Sequence, residues 1–158
     1  MRAQTTIDFA IGISLFLVVA AFVIAFVPTI FAPFESTEGP QTADRIATSL
    51  STDRLGDPSE PHVLNATCTS DFFTQLNGGD AAPSTCRFDA SADTTRELFA
   101  LDRPRGVNVT IRHANDSVVD SGGRLAAGPT PPETASVTAA ARVVSLDGHS
   151  RRLLVRTW

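Results

Sequence analysis

The chain begins with one long apolar segment and continues as a succession of short, mixed segments. No charged residue occurs from Phe9 to Phe34, and the first nineteen residues of this run, Phe9 to Val27, end just before Pro28. A helix of that length spans about 28 Å, close to the hydrocarbon thickness of a bilayer. It would be apolar on every side, unlike an amphipathic surface helix. The pattern predicts a membrane-spanning helix, with a buried core helix as the alternative.

The apolar run is expected to give way to a linker, residues 35–62. Pro28, Pro33, Gly39 and Pro40 are predicted to break the apolar helix and to begin this linker, because proline cannot donate the helical hydrogen bond.

Within the linker, Thr42 to Leu55 has the periodicity of a short amphipathic helix, with Gly56 as its expected C-cap. Its apolar positions, at helical spacing, are Ala43, Ile46, Ala47 and Leu50.

Residues 63–158 predict a small α+β head, mainly β. Thr69 to Asn77 indicates two helical turns with a Ser or Thr cap and with Gly78 at the end. The apolar face of these turns consists of Phe72, Phe73 and Leu76. Thr94 to Leu101 begins with a capping box, formed by Thr94 and Glu97.

The strand signals lie in the second half of the head. Val107 to His113 alternates strictly, which predicts a strand with one buried face, and the following stretch DSVVDSG is its expected hairpin partner. The stretches TASVTAAARVVSL and RRLLVRTW flank Asp147-Gly148, a strong hairpin signal. We expect this last hairpin to lie at the centre of the head.

The charges around the apolar run predict its orientation. Arg2 precedes the run, whereas Glu35 and Glu38 follow it. The positive-inside tendency then leaves the N-terminus in the cytoplasm and the head outside. A cleaved secretory signal is the alternative, but the run is longer than such signals and no A-x-A-like site follows it.

The stretch RAQTTIDF, residues 2–9, resembles the class III signal peptide of archaeal type IV pilins and pilin-like proteins. In that family a short basic leader ends in a small residue and the mature chain begins with Gln; a hydroxyl residue, an acid and an aromatic residue then precede the apolar helix. Here these features fall on Ala3, Gln4, Thr6, Asp8 and Phe9. Thr and Asp replace the more usual Ser and Glu.

The resemblance implies cleavage between Ala3 and Gln4 by a membrane prepilin peptidase. Residues 1–3 would be a leader, and residues 4–34 an apolar transmembrane and assembly helix with its end. Gln4, Asp8 and Phe9 would then take part in assembly with other pilin subunits or with the assembly machinery. The alternative is an uncleaved signal anchor whose Asp8 caps the helix, because an acid in the first turn suits the helix dipole.

Composition excludes several function classes. The formal net charge is −4, and all thirteen basic residues are arginine, with no basic stripe typical of nucleic-acid binders. No GxSxG, phosphate loop, HxxxH or CxxC occurs, and the three histidines are scattered. We therefore expect no catalytic residue, no metal, no cofactor and no small-molecule substrate.

Two kinds of site are expected in an exported head. Cys68 and Cys86 both follow the apolar run, and two cysteines outside the cell normally pair, whereas a metal site needs more ligands. Asn65, Asn108 and Asn115 each begin an N-x-S/T sequon, which makes them candidates for glycosylation. A polar strand face is the alternative explanation for Asn108.

These observations predict an α+β protein with an N-terminal transmembrane or filament-core helix and a small head with short helices. The expected function is that of a type IV pilin-like surface protein, either a structural subunit or a minor component of an extracellular filament. The alternative is a non-polymerising, single-pass, membrane-anchored envelope or binding protein. An enzyme is not expected. The protein would lie in the membrane with its N-terminus inside, and at the cell surface or in a pilus after assembly.

Overall fold

The computed structural model describes residues 2–35, 38–57, 59–80, 82–83, 85–102 and 105–158, with side chains described for residues 7–27 and, within those ranges, from residue 40 onward. The helices are α1 (Arg2–Glu35), α2 (Glu38–Ser49), a π-helical turn (Leu50–Arg54), α3 (Ala66–Leu76) and α4 (Thr95–Leu98). The strands are β1 (Gly56–Asp57), β2 (Glu60–Leu64), β3 (Val107–Arg112), β4 (Ala126–Ala127), β5 (Thr138–Leu146) and β6 (His149–Thr157). A long apolar helix followed by an α+β head confirms the predicted fold class.

The chain divides into two compact units, Met1–Glu38 and Gly39–Trp158. The first unit is α1, a helix of 34 residues that continues through Pro28 and Pro33. The prediction that Pro28 interrupts this helix was therefore wrong. A proline removes one backbone hydrogen bond and can bend a helix, but it does not have to end one.

The second unit is built on a six-stranded mixed sheet in the order β1-β2-β5-β6-β3-β4. Its central hairpin, β5 and β6, pairs nine residues on each strand, from Thr138↔Thr157 to Leu146↔His149. Asp147 and Gly148 connect the two strands with φ angles of 53° and 73°, the backbone of a type I′ turn. The sequence prediction of a central Asp-Gly hairpin is confirmed.

Strand β3 is more deeply enclosed than its sequence predicts. Five of its six residues, from Val107 to Ile111, are buried, so both of its faces are covered, whereas strict alternation had predicted one. It pairs with β6 on one side and with β4 on the other. The expected hairpin partner DSVVDSG does turn back onto β3 but forms no regular strand. It contributes the isolated bridge Arg112↔Val118 and a backbone hydrogen bond of 2.8 Å from the Val119 N–H to the Ile111 carbonyl oxygen. A strand in the interior of a sheet can also bury polar residues when their hydrogen bonds are satisfied.

The core lies between the inner face of this sheet and the helices. Strands β3 and β6 supply Val109, Ile111, Leu153 and Val155, each fully buried. Helix α2 and the turn after it supply the four apolar positions that the sequence predicts, Ala43, Ile46, Ala47 and Leu50, and all of them are buried.

Gly56 does not cap the helix before it, contrary to the sequence prediction. It lies in β1, and a Cβ atom added there would come within 2.5 Å of the Ser51 carbonyl oxygen. This glycine is needed for a close approach of two backbone segments rather than for a left-handed cap.

Helix α3 begins three residues before the predicted start. Its N-cap is Asn65, whose side-chain oxygen accepts a hydrogen bond of 3.0 Å from the Cys68 backbone N–H, so the expected Ser or Thr cap was wrong. Its end is as predicted, since Gly78 follows with a φ of +85°. At α4 the Thr94 hydroxyl accepts from the Glu97 N–H as predicted, while the Glu97 carboxylate accepts from the Asp93 N–H.

The long loop after α3 is fastened to that helix in two places. The Cys68–Cys86 disulfide is present, which confirms the predicted pairing. Gln75, only 5% exposed, donates to the carbonyl oxygens of Asp89 (2.9 Å) and Ala92 (2.8 Å) and accepts from the Ala82 N–H at 3.0 Å. One buried side chain thus satisfies three backbone groups of a loop whose described residues between 79 and 93 form no helix or strand.

We predict that Gln75→Leu lowers the free energy of unfolding of the head by about 2–4 kcal/mol, because it leaves buried backbone groups of the loop unpaired. Gln41→Leu makes the same chemical change at an exposed position of α2 and should change stability by less than about 0.5 kcal/mol. Urea unfolding of the full-length chain in detergent, followed by circular dichroism, compares the two. Equal stability of both variants would show that the Gln75 hydrogen bonds do not hold the loop.

Candidate functional site

The most unusual surface in the chain is the apolar wall of α1. One segment, Ile7–Val27, is long and apolar enough to cross a membrane, and it is unburied along its whole length. Its aromatic and aliphatic side chains are exposed on every face of the helix. The exposed fraction is 70% for Phe9, 68% for Phe16 and 72% for Ile24. Soluble proteins rarely expose contiguous apolar patches of this size, so such a surface requires lipid or other apolar helices around it.

The interior of this segment is free of unsatisfied polar side chains. Ser14 is the only residue from Phe9 to Val27 with a polar side chain, and its hydroxyl donates to the Ala10 carbonyl oxygen at 2.7 Å. This internal bond removes most of the cost of placing a hydroxyl in hydrocarbon.

Asp8 is the one carboxylate at the edge of the apolar wall, and it is exposed. Helix α1 begins at Arg2 and has no acidic residue in its first turn, so Asp8 lies in the second turn and cannot cap this helix. The membrane-anchor alternative gave Asp8 the role of capping the helix, and this role is wrong for α1 with these bounds. Ala3 and Gln4 lie in the first turn; their side chains are outside the described set.

A second polar feature lies on the outer face of the head's sheet, the face turned away from the core. Strand alternation places three arginines there: Arg112 of β3, with Arg152 and Arg156 of β6. Arg112 and Arg152 are directly opposite in the register, and both bind the Asp116 carboxylate. Like charges in such a pair repel, so the shared carboxylate is what makes the pair tolerable.

Arg156 is held in the same face by Asn108, whose side-chain oxygen accepts from the guanidinium at 2.7 Å. Burial lowers the pKa of Arg156, and the nearby Arg112 charge lowers it further, against a smaller opposite effect of Asp116. The Nε atoms of Arg152 and Arg156 are buried without a hydrogen-bond partner in the described residues. This face therefore has more positive charge than its own acceptors neutralise.

Sequence reasoning missed these arginines as a group. The signal was present in the stretch RRLLVRTW, because residues 152, 154 and 156 of one strand must share a face. The register that brings Arg112 beside Arg152 depends on a pairing between distant segments, which the sequence does not reveal.

The three sequon asparagines have different environments. Asn65 and Asn115 are exposed, Asn65 at the start of α3 and Asn115 in the turn after β3. Asn108 is 4% exposed, and its amide nitrogen donates to the carbonyl oxygens of Ala127 and Gly128. The folded head thus encloses the Asn108 side chain as a core amide, and this argues against its candidacy as a glycosylation site.

No arrangement for catalysis is found in the part of the chain that the structure describes. Among the described residues, no group of three or more histidine, cysteine, aspartate or glutamate side chains is arranged so that it could hold a metal ion. Hydrogen bonds from the hydroxyl and backbone N–H of Ser59 lower the pKa of Asp57, and Ser91 does the same for Asp89. Both carboxylates are exposed and act in local turns rather than in a cleft.

Two shallow clefts flank α3, with volumes of about 360 and 400 Å³. They share Ser70 and Leu125, and the first is also lined by Thr69, whose buried hydroxyl has no partner among the described residues. Neither lining includes a histidine, and the first includes the carboxylates of Asp71 and Asp147.

Comparison with known proteins gives a single match. No curated protein and no solved structure matches the chain. The model of one family, described as "Family of unknown function (DUF7287)", matches residues 1–158 and so covers the helix and the head together. The chain belongs to the DUF7287 family.

Proposed function

We propose that the protein is a type IV pilin-like surface protein, anchored in the membrane by α1 and afterwards assembled through α1 into an extracellular filament. One observation carries the proposal: a helix with an open apolar wall from Ile7 to Val27 has a single carboxylate, Asp8, at its edge. The resemblance of residues 2–9 to archaeal class III signal peptides supports it. The disulfide in the head is consistent with an oxidising environment outside the cell.

The apolar wall suits two surroundings. In a bilayer it contacts lipid tails, and in a filament it would contact the same wall of neighbouring subunits. Lipid tails are as apolar as leucine side chains, so exchange of one for the other has little hydrophobic cost and depends on packing. Small residues within the wall, such as Gly12, Ala20 and Ala21, would allow neighbouring helices to approach closely.

Asp8 is the residue whose situation differs between these two surroundings. At the edge of a bilayer its carboxylate can remain hydrated, whereas among packed apolar helices an unpaired charge is costly. Cleavage between Ala3 and Gln4 would create a cationic amine on Gln4. Four residues of helix separate Gln4 from Asp8, a rise of about 6 Å, so the amine and the carboxylate could pair within one subunit or between neighbours.

The alternative, a membrane-anchored envelope protein that does not polymerise, uses the same helix only as an anchor. It gives Asp8 no partner and requires no processing at Gln4. The two functions therefore differ in measurable properties of the N-terminus.

We predict that the mature protein begins at Gln4, because the peptidase would cut the Ala3–Gln4 bond on the cytoplasmic side and leave α1 intact. Mass spectrometry of the protein isolated from its native membrane and from sheared surface material tests this. A mature chain that retains Met1, or one that begins after Pro28, would contradict the pilin assignment.

We predict that Asp8→Ala leaves the amount of protein in the membrane unchanged but lowers its amount in sheared filaments roughly tenfold or more, because the Gln4 amine would be buried without a partner. Asp8→Glu should retain much of the wild-type amount. Asp120→Ala, which removes an exposed carboxylate of the head, is the matched control and should behave as wild type. Immunoblots of the two fractions compare the variants; equal incorporation of Asp8→Ala and wild type would exclude the pairing role.

A further inference from the structure

The outer face of the head's sheet is open along β5, whereas Asn108 and Thr110, which lie on the same face in β3, are buried. The side chains of its central strands point away from the core, and those of β5 are small or exposed: Ala139, Ala141 and Val143, the last at 72% exposure. Val63, on the neighbouring strand β2, is 43% exposed. Ala139 and Ala141 line a cleft together with Pro40, Gln41 and Asp44 of α2, whereas Val143 and Val63 are left open to solvent.

The register makes this surface compact. Val143, Arg152 and Arg112 form one row across three strands, and Ala139, Arg156 and Asn108 form another row on the same face. Asp116 is the acid that neutralises the first row. We call the surface formed by residues 139, 141, 143, 152 and 156 the basic face.

The first half of the head carries the opposite charge. Residues 39–105, which supply α2, α3 and α4, contain ten acidic residues and six arginines, whereas residues 106–158 contain four acidic residues and six arginines. Asp80 and Asp93 are exposed in the loop after α3. That loop packs against α3, since Phe88 lies edge-on against Phe72 with ring centroids 5.3 Å apart. The part of the head formed by residues 39–105 carries these carboxylates. We call this the acidic side.

From these observations we propose that the basic face of one head docks on the acidic side of a second copy of this chain. The argument is charge complementarity: the guanidiniums of the basic face have too few acceptors of their own, and residues 39–105 carry surplus carboxylates, among them the exposed Asp80 and Asp93. Small side chains at Ala139 and Ala141 let a partner approach the sheet closely. This proposal rests on the proposed function only for the place where the heads would meet, which is the filament.

The two docking surfaces are different from each other, which determines the kind of assembly. A contact between two different surfaces is heterologous, and it generates a ring or an open helical array rather than a closed two-fold dimer. Each head would then use its basic face toward one neighbour and its acidic side toward the next. The contact would give heads an interaction of their own in addition to the packing of α1.

The test measures self-association of the full-length chain in a zwitterionic detergent that covers α1, by sedimentation velocity as a function of salt. We expect association at low salt that weakens as screening increases. Arg152→Glu should weaken it roughly tenfold. The matched control is Arg45→Glu, which makes the same change of net charge at an exposed position of α2 on the acidic side and should not weaken it.

A rescue experiment identifies the partner surface. Asp80→Arg with Asp93→Arg should also weaken association, and the combination of these two changes with Arg152→Glu and Val143→Glu should restore part of it, because both surfaces are then reversed. Arg152→Gln, with a melting curve for each variant, separates loss of docking from loss of folding. A wild-type chain that stays monomeric at low salt, or equal weakening by Arg152→Glu and Arg45→Glu, would overturn the proposal.

These outcomes are independent of the proposed function. Heads that do not associate while Asp8-dependent filaments form would refute the docking surface alone. Heads that associate as described in a chain that keeps Met1 and never enters filaments would refute the pilin-like assignment alone.

Discussion

The constraint on which the rest of the structure depends is the removal of α1 from water. Between Ile7 and Val27 the helix has apolar side chains on every face and no described contact that covers them. Burial of each large apolar side chain lowers the free energy by roughly 1.5–3 kcal/mol, so contact with lipid or with other helices strongly stabilises this helix. A filament subunit and a membrane anchor both satisfy this requirement; they differ in the processing of the N-terminus and in the surroundings of Asp8.

The head has stabilising contacts of its own. It has its own core between the sheet and three short helices, and its longest irregular loop is held by a disulfide and by the three hydrogen bonds of Gln75. Closing a loop of this size with a disulfide contributes roughly 3 kcal/mol by restricting the unfolded chain. A domain of about 120 residues buries a modest core, so such fastening adds appreciably to its stability.

Features that depend on local pattern could be predicted from the sequence. The long apolar helix, the α2 positions Ala43, Ile46, Ala47 and Leu50, the Asp147-Gly148 hairpin and the Cys68–Cys86 pair all follow from periodicity, turn chemistry or compartment. Features that depend on tertiary context could not. The burial of both faces of β3, the parallel pairing of Val63 with Ser145 and the row of Arg112 and Arg152 arise from contacts between distant segments.

Several errors have a common physical cause, which is that one residue type serves more than one purpose. Proline removes a hydrogen bond whether or not the helix continues, so Pro28 alone did not decide the end of α1. Glycine serves a left-handed cap at Gly78 but a close backbone approach at Gly56. Asparagine caps a helix at Asn65 and satisfies core carbonyls at Asn108, although both occur in the same sequon pattern.

The central claim, that α1 exchanges lipid for the packed core of a filament, is tested most directly by electron cryomicroscopy of filaments sheared from the native host. We expect subunits of this chain in which residues 7–27 lie at the filament axis, surrounded by the same segment of neighbouring subunits, with the Asp8 carboxylate close to a Gln4 amine. Filaments that lack this chain, together with recovery of the whole protein in the membrane fraction, would contradict the account.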